Sequence, residues 1–118
     1  MWTEVHKHLC PGMAEVDFNG SGAKYAALTV IRPDKDWFIE TIVIVRRGSH
    51  GLDVHTLWHD EPAYDVVWRC GPTTVQDWEE PKKKVHIPHE SLVVERLESA
   101  TRQYYLKDGR FHYVQTSD

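Results

Sequence analysis

The sequence is short of most features that would announce a function. No apolar run approaches the roughly 18 residues needed to cross a bilayer as a helix, so a transmembrane segment is not expected. There is no basic stripe: the formal net charge is −4, and the cluster Lys82-Lys83-Lys84 follows Glu79-Glu80. That pattern reads as a solvated turn and argues against nucleic-acid binding. Only two cysteines occur, Cys10 and Cys70, too far apart for a CxxC redox or zinc motif. Each adjoins turn formers, as Cys10-Pro11-Gly12 and Cys70-Gly71-Pro72. A bridge closing that loop would contribute roughly 4 kcal/mol in the chain-entropy model. Two unpaired thiols in a reducing compartment fit the spacing equally well. Met1-Trp2-Thr3-Glu4 carries no signal-peptide pattern, which leaves a cytosolic protein or a mature exported domain.

Catalytic signatures are missing as well. No G-x-S-x-G elbow, no phosphate-binding glycine loop opening a helix and no separated acid/base pair stands out. Asp60-Glu61 and Glu79-Glu80 are adjacent and read as loop charge. The eight histidines include His6-x-His8, His55 with His59, and His86-x-x-His89, but no Cys or carboxylate joins any pair at zinc-ligand spacing. No cofactor is expected.

What is present points to one mainly β, antiparallel domain over residues 1–118, a length able to bury its own core. Tyr25 to Ile31 is an apolar run stopped by Arg32-Pro33-Asp34-Lys35-Asp36. Trp37 to Val45 is apolar on both faces and suggests a central strand. Gly48-Ser49-His50-Gly51 then turns the chain into Leu52 to Trp58, completing a meander. Tyr64 to Arg69 and Ser91 to Leu97 are further strand candidates, and the stretch holding Pro72, Pro81 and Pro88 is expected to be irregular or at an edge. Asp108-Gly109 predicts a two-residue hairpin turn, with Leu106 facing Phe111, Tyr104 facing Tyr113, and Tyr105 and His112 on the other face. A short N-terminal helix is expected from Thr3 to Leu9. Trp58, Trp68 and Trp78, near turns, are either interface anchors or closures of a small core.

Asp17-Phe18-Asn19-Gly20-Ser21-Gly22 resembles the D-F-D/N-G-D-G calcium loop of the FG-GAP and VCBS type. Such loops place carboxylates at alternate positions around the ion. Here Asp17 and Asn19 match, Ser21 stands where the third acid belongs, and Lys24 replaces the closing acid. The expectation is a loop that keeps its shape without calcium, with the Lys24 ammonium in the cation's place or in water. The order Cys-Pro-Gly, D-F-N-G-x-G, Tyr-Ala-Ala-Leu, then Glu98-Ser99-Ala100, Tyr104-Tyr105 and Asp108-Gly109-Arg110-Phe111, resembles a group of small exported bacterial proteins. That resemblance implies a removed signal peptide, a periplasmic or secreted location and a Cys10–Cys70 disulfide. It implies no activity.

Ser21-Gly22-Ala23-Lys24-Tyr25 also resembles the S-G-x-x-Y segment that periplasmic lysozyme inhibitors insert into a lysozyme cleft. This implies partner-binding roles for Ser21, Gly22, Lys24 and Tyr25. A hydroxyl beside an ammonium suits a site built on one neutral and one ionised carboxyl group. The companion Y-x-x-x-T-K-G motif is absent. The resulting expectation is a non-enzymatic binder occupying a lysozyme or a cognate antibacterial toxin. The competing classes are a structural β domain closed by this loop, and a small hydrolase with a pocket lined by His and carboxylate.

Overall fold

The computed structural model describes residues 12–35, 37–48, 50–61, 65–96 and 100–117. Among these residues ten strands form two four-stranded antiparallel sheets and a separate hairpin. The first sheet has the order β1 (Met13–Val16), β2 (Tyr25–Asp34), β3 (Trp37–Gly48), β4 (Gly51–Glu61). The second has the order β10 (Arg110–Ser117), β9 (Thr101–Lys107), β8 (Ser91–Arg96), β5 (Asp65–Cys70). β6 (Thr73–Gln76) and β7 (Lys84–Ile87) make the hairpin. No helix occurs among the described residues, and none there is long and apolar enough to cross a membrane. The helix expected over residues 3–9 lies outside them.

The two sheets share a core. Val16, Phe18, Ala27, Ile42 and Ile44 enter it from the first sheet and its loop; Val67, Leu92, Val94 and Tyr104 enter from the second. Strand alternation explains the choice, since every second residue of β2 and β3 faces inward. The meander of β2, β3 and β4 forms as expected, with β3 between its neighbours. Its two faces are unequal, however. Ile42 and Ile44 are fully buried, whereas Val43 and Val45 are only half-covered, so the opposite face looks outward.

Three local differences have simple causes. β2 runs on to Asp34, through the expected stop. The pair Asp34↔Trp37 closes the hairpin between β2 and β3, so Pro33, one step back, occupies a position whose N–H would point away from β3. A proline costs no ladder hydrogen bond there. The proline-rich stretch holds an ordered hairpin instead of irregular chain, because Pro72 and Pro88 flank β6 and β7 and Pro81 sits in the turn between them. That turn is fixed by Asp77, whose Oδ1 accepts the Glu79 N–H at 2.9 Å, and by Gln76 Nε2 donating to the Pro81 carbonyl at 2.6 Å. β1 was not anticipated; Met13-Ala14-Glu15-Val16 is only four residues long and pairs with the start of β2.

The C-terminal hairpin has the expected register, Phe111↔Leu106 and Tyr113↔Tyr104. Asp108 and Gly109 both take positive φ, 54° and 74°, as a mirror-image turn requires. Tyr105 and His112 stack on the outer face with ring centres 5.6 Å apart. On the inner face Tyr104 is buried and Phe111 half-buried, while Tyr113 stays 53% exposed.

Candidate functional site

The loop joining β1 to β2 is anchored at one end and exposed at the other. Phe18 is 1% exposed and packs edge-to-face on Tyr25 and Phe111, at ring separations of 5.3 and 5.0 Å. From Asn19 to Lys24 every residue is exposed. Asp17 Oδ2 accepts the Gly22 N–H at 2.8 Å, which ties the two ends of the loop together. Asn19 Oδ1 accepts from the Ser21 hydroxyl at 2.7 Å and its N–H at 3.3 Å. Glu90 Oε1 accepts the Asp17 N–H from the far side at 2.8 Å.

The 17–22 loop thus keeps a folded shape through its own hydrogen bonds. It is the Gly22 N–H that bonds the Asp17 carboxylate; Lys24, exposed, forms no ion pair among the described residues. Asn19 and the Ser21 hydroxyl are engaged with each other, so Asp17, Asn19 and Ser21 all have partners within the loop. Among the described residues no three His, Cys, Asp or Glu side chains gather as a metal site would require.

Gly20 brings the loop close to His89, two residues past β7. Its φ is +71°, and a Cβ there would lie 2.6 Å from the His89 ring. Gly20→Ala is therefore expected to lose about 1–2 kcal/mol through left-handed strain and steric displacement of His89. Chemical denaturation should recover part of that loss in a Gly20→Ala, His89→Ala double variant. Full loss in the double variant would assign the cost to the backbone alone.

Of the four residues expected to meet a partner, Ser21, Gly22 and Lys24 are at the surface and Tyr25 is not. Tyr25 is 5% exposed, and its hydroxyl oxygen accepts from Arg46 Nη1 at 3.1 Å. It opens β2 opposite Val16, so strand alternation turns its ring inward with Ala27. Tyr25 shapes the loop from below. Cys70 is half-buried at the end of β5 and forms no disulfide among the described residues; Cys10 lies outside them. Trp78 is 54% exposed, with its backbone N–H on the Gln115 carbonyl at 2.8 Å; Trp68 is half-buried. The side chain of Trp58 lies outside the described set.

Grooves also open elsewhere among the described residues, and three of them matter here. One of 570 Å³ separates β4 from the last hairpin, lined by Val54, His55, Leu57, Arg110 and Phe111. A second, of 590 Å³, is basic and aromatic, with Lys83, Lys84, His86, Tyr105 and Lys107. The third, of 470 Å³, holds Asp77 and Trp78. Each of the first two has a histidine without a carboxylate, and the third a carboxylate without a histidine.

A buried acidic cluster was not foreseen. Glu40, 3% exposed, sits on the Ile42 and Ile44 face of β3, and its Oε2 accepts the Asp65 N–H at 3.0 Å. Asp65, 8% exposed, is held by Arg96 Nε at 3.3 Å across the β5–β8 pair. Burial raises the Glu40 carboxyl to about 7, the Asp65 N–H opposes this, the Asp65 carboxyl adds to it, and Arg96 opposes it. The signal in the sequence was an acid alternating with Ile42 and Ile44. Comparisons with protein-family models, with curated proteins and with solved structures return no match to this chain.

Proposed function

We propose that the chain is a non-enzymatic binding protein, periplasmic or secreted, that occupies a lysozyme or an antibacterial toxin through the 19–24 loop. The observation that carries this reading is the exposed tip held in one shape by Asp17, Asn19 and the buried Phe18. A loop ordered before binding loses little conformational freedom on docking, so more of its contact energy appears as affinity. Ser21 contributes a hydroxyl and Lys24 an ammonium, groups suited to an acidic pair in a hydrolase cleft. The net charge of −4 would steer the body towards a basic enzyme. No cofactor takes part. Export of the chain and a Cys10–Cys70 bridge belong to the same proposal.

Peptidoglycan lysis by lysozymes of several structural types, with the purified and oxidised protein added, tests it. Stoichiometric inhibition of one type is expected, and Lys24→Ala should weaken it about thirtyfold, the effect of losing a 2 kcal/mol anchor. The unfolding midpoint of that variant should stay that of the parent. No inhibition across the set would remove lysozyme as the partner. A structural role is the second reading, favoured by the burial of Phe18 and Tyr25 beneath the loop. Under it, Ser21→Ala lowers stability and changes no binding.

A further inference from the structure

The outer strand of the first sheet has an open edge among the described residues. β4 is the last strand in the order β1-β2-β3-β4, so among the described residues one side of its backbone has no neighbouring strand in that sheet. The pair Gly48↔Gly51 closes a two-residue turn and must therefore be a hydrogen-bonded pair. Alternation from that point gives Asp53 and His55 the bonds to Arg46 and Ile44. The N–H and C=O groups of Leu52, Val54 and Thr56 then point to the open edge. The register runs unbroken from Gly51 to Thr56; it shifts first at Leu57 and again between Trp58 and Glu61. Leu52 and Val54, on the same open stretch, are 68% and 58% exposed. An edge left in this state pairs with another strand unless something blunts it.

We propose that this edge pairs with the same edge of a second copy, antiparallel about a two-fold axis at Val54, so that one sheet continues across the dimer. The register follows from charge and hydrogen bonding together. With Val54 opposite the partner's Val54, Leu52 falls opposite the partner's Thr56. All three pairs are of the hydrogen-bonded kind, giving about six backbone bonds. Asp53 then lies opposite the partner's His55, twice by symmetry, with Cα atoms about 4.5 Å apart. A carboxylate acceptor meets an imidazole donor there. Shifting the axis to Asp53 would set two carboxylates against each other and keep only the two Leu52–Val54 pairs, about four backbone bonds in place of six. On the outer face the Val54 pair and the Leu52–Thr56 pairs cover the apolar side chains that are exposed in the single chain. This interface is independent of the 19–24 loop, and its test does not involve a lysozyme.

Sedimentation equilibrium over low to high micromolar concentration should show the mass rising from 13.8 kDa towards twice that value. Val54→Pro removes an N–H that points away from β3, so the chain should fold as before and associate at least tenfold more weakly. Val54→Lys, which leaves the backbone intact, should do the same. His55→Asp should weaken association and the added Asp53→His should restore it. A parent that stays at 13.8 kDa throughout overturns the proposal. So does association that survives both Val54 variants.

Discussion

Phe18→Ala is expected to lose about 3–5 kcal/mol of folding stability, the usual cost of deleting a fully buried aromatic ring. The unfolding midpoint should fall by roughly 10–20 °C in a chain of this length. The ring is 1% exposed and lies between Tyr25 and Phe111, so it joins the loop, β2 and the last hairpin in one aromatic cluster. Emptying it leaves a cavity that those three elements cannot close without moving their strands. The loop should loosen as well, because Asp17 and Asn19 take their positions from the residue between them. Hydrogen exchange at the Gly22 amide, now held by Asp17, should rise well before global unfolding. Phe18→Leu, which keeps most of the volume, should retain over half of the stability. A loss below 1 kcal/mol for the alanine variant would mean that the ring is not packed where the structure puts it.

How much of this was legible in the sequence depends on how local the cause was. The Asp108-Gly109 hairpin could be placed to the residue because its turn chemistry is written in two adjacent positions. The β2 to β4 meander was equally plain, since its apolar runs are long and its turns carry glycine or charge. β1 and the β6–β7 hairpin were not, because four-residue strands of mixed composition offer too few alternations to recognise. The loop between Asp17 and Gly22 was found by its pattern, but the fate of Tyr25 was decided by a pairing with Val16. Motif spacing alone left that ring free to face a partner; the β1–β2 register turned it inward. The Glu40 cluster was hidden for a different reason. Its members lie 25 and 31 positions apart along the chain, and only the packing of the two sheets brings them together.

That cluster sets the pH response. Stability is expected to fall as pH rises from about 4.5 towards about 7, by at most about 3 kcal/mol from this group, and then to level off. The sign follows from proton counting. Glu40 in the folded chain keeps its proton up to about 7, whereas in the unfolded chain it releases it near 4.5. Across that window the folded state binds more protons, so raising the pH favours unfolding. The physical reason is that an ionised Glu40 must stand buried beside Asp65, with Arg96 already engaged by the Asp65 carboxylate. Glu40→Gln keeps an acceptor for the Asp65 N–H and cannot ionise. Its stability at pH 5 should therefore lie close to the parent, and at pH 8 above it by about 2 kcal/mol, the usual range for relieving an unfavourable buried charge. Asp65→Asn removes the neighbouring charge and should move the parent's transition to lower pH. Urea unfolding of the three proteins at pH 5, 6, 7 and 8 checks both. A difference between Glu40→Gln and the parent that stays constant across the series would show that Glu40 does not titrate there, and the cluster would then be a hydrogen-bonded brace between the two sheets with no part in the pH response.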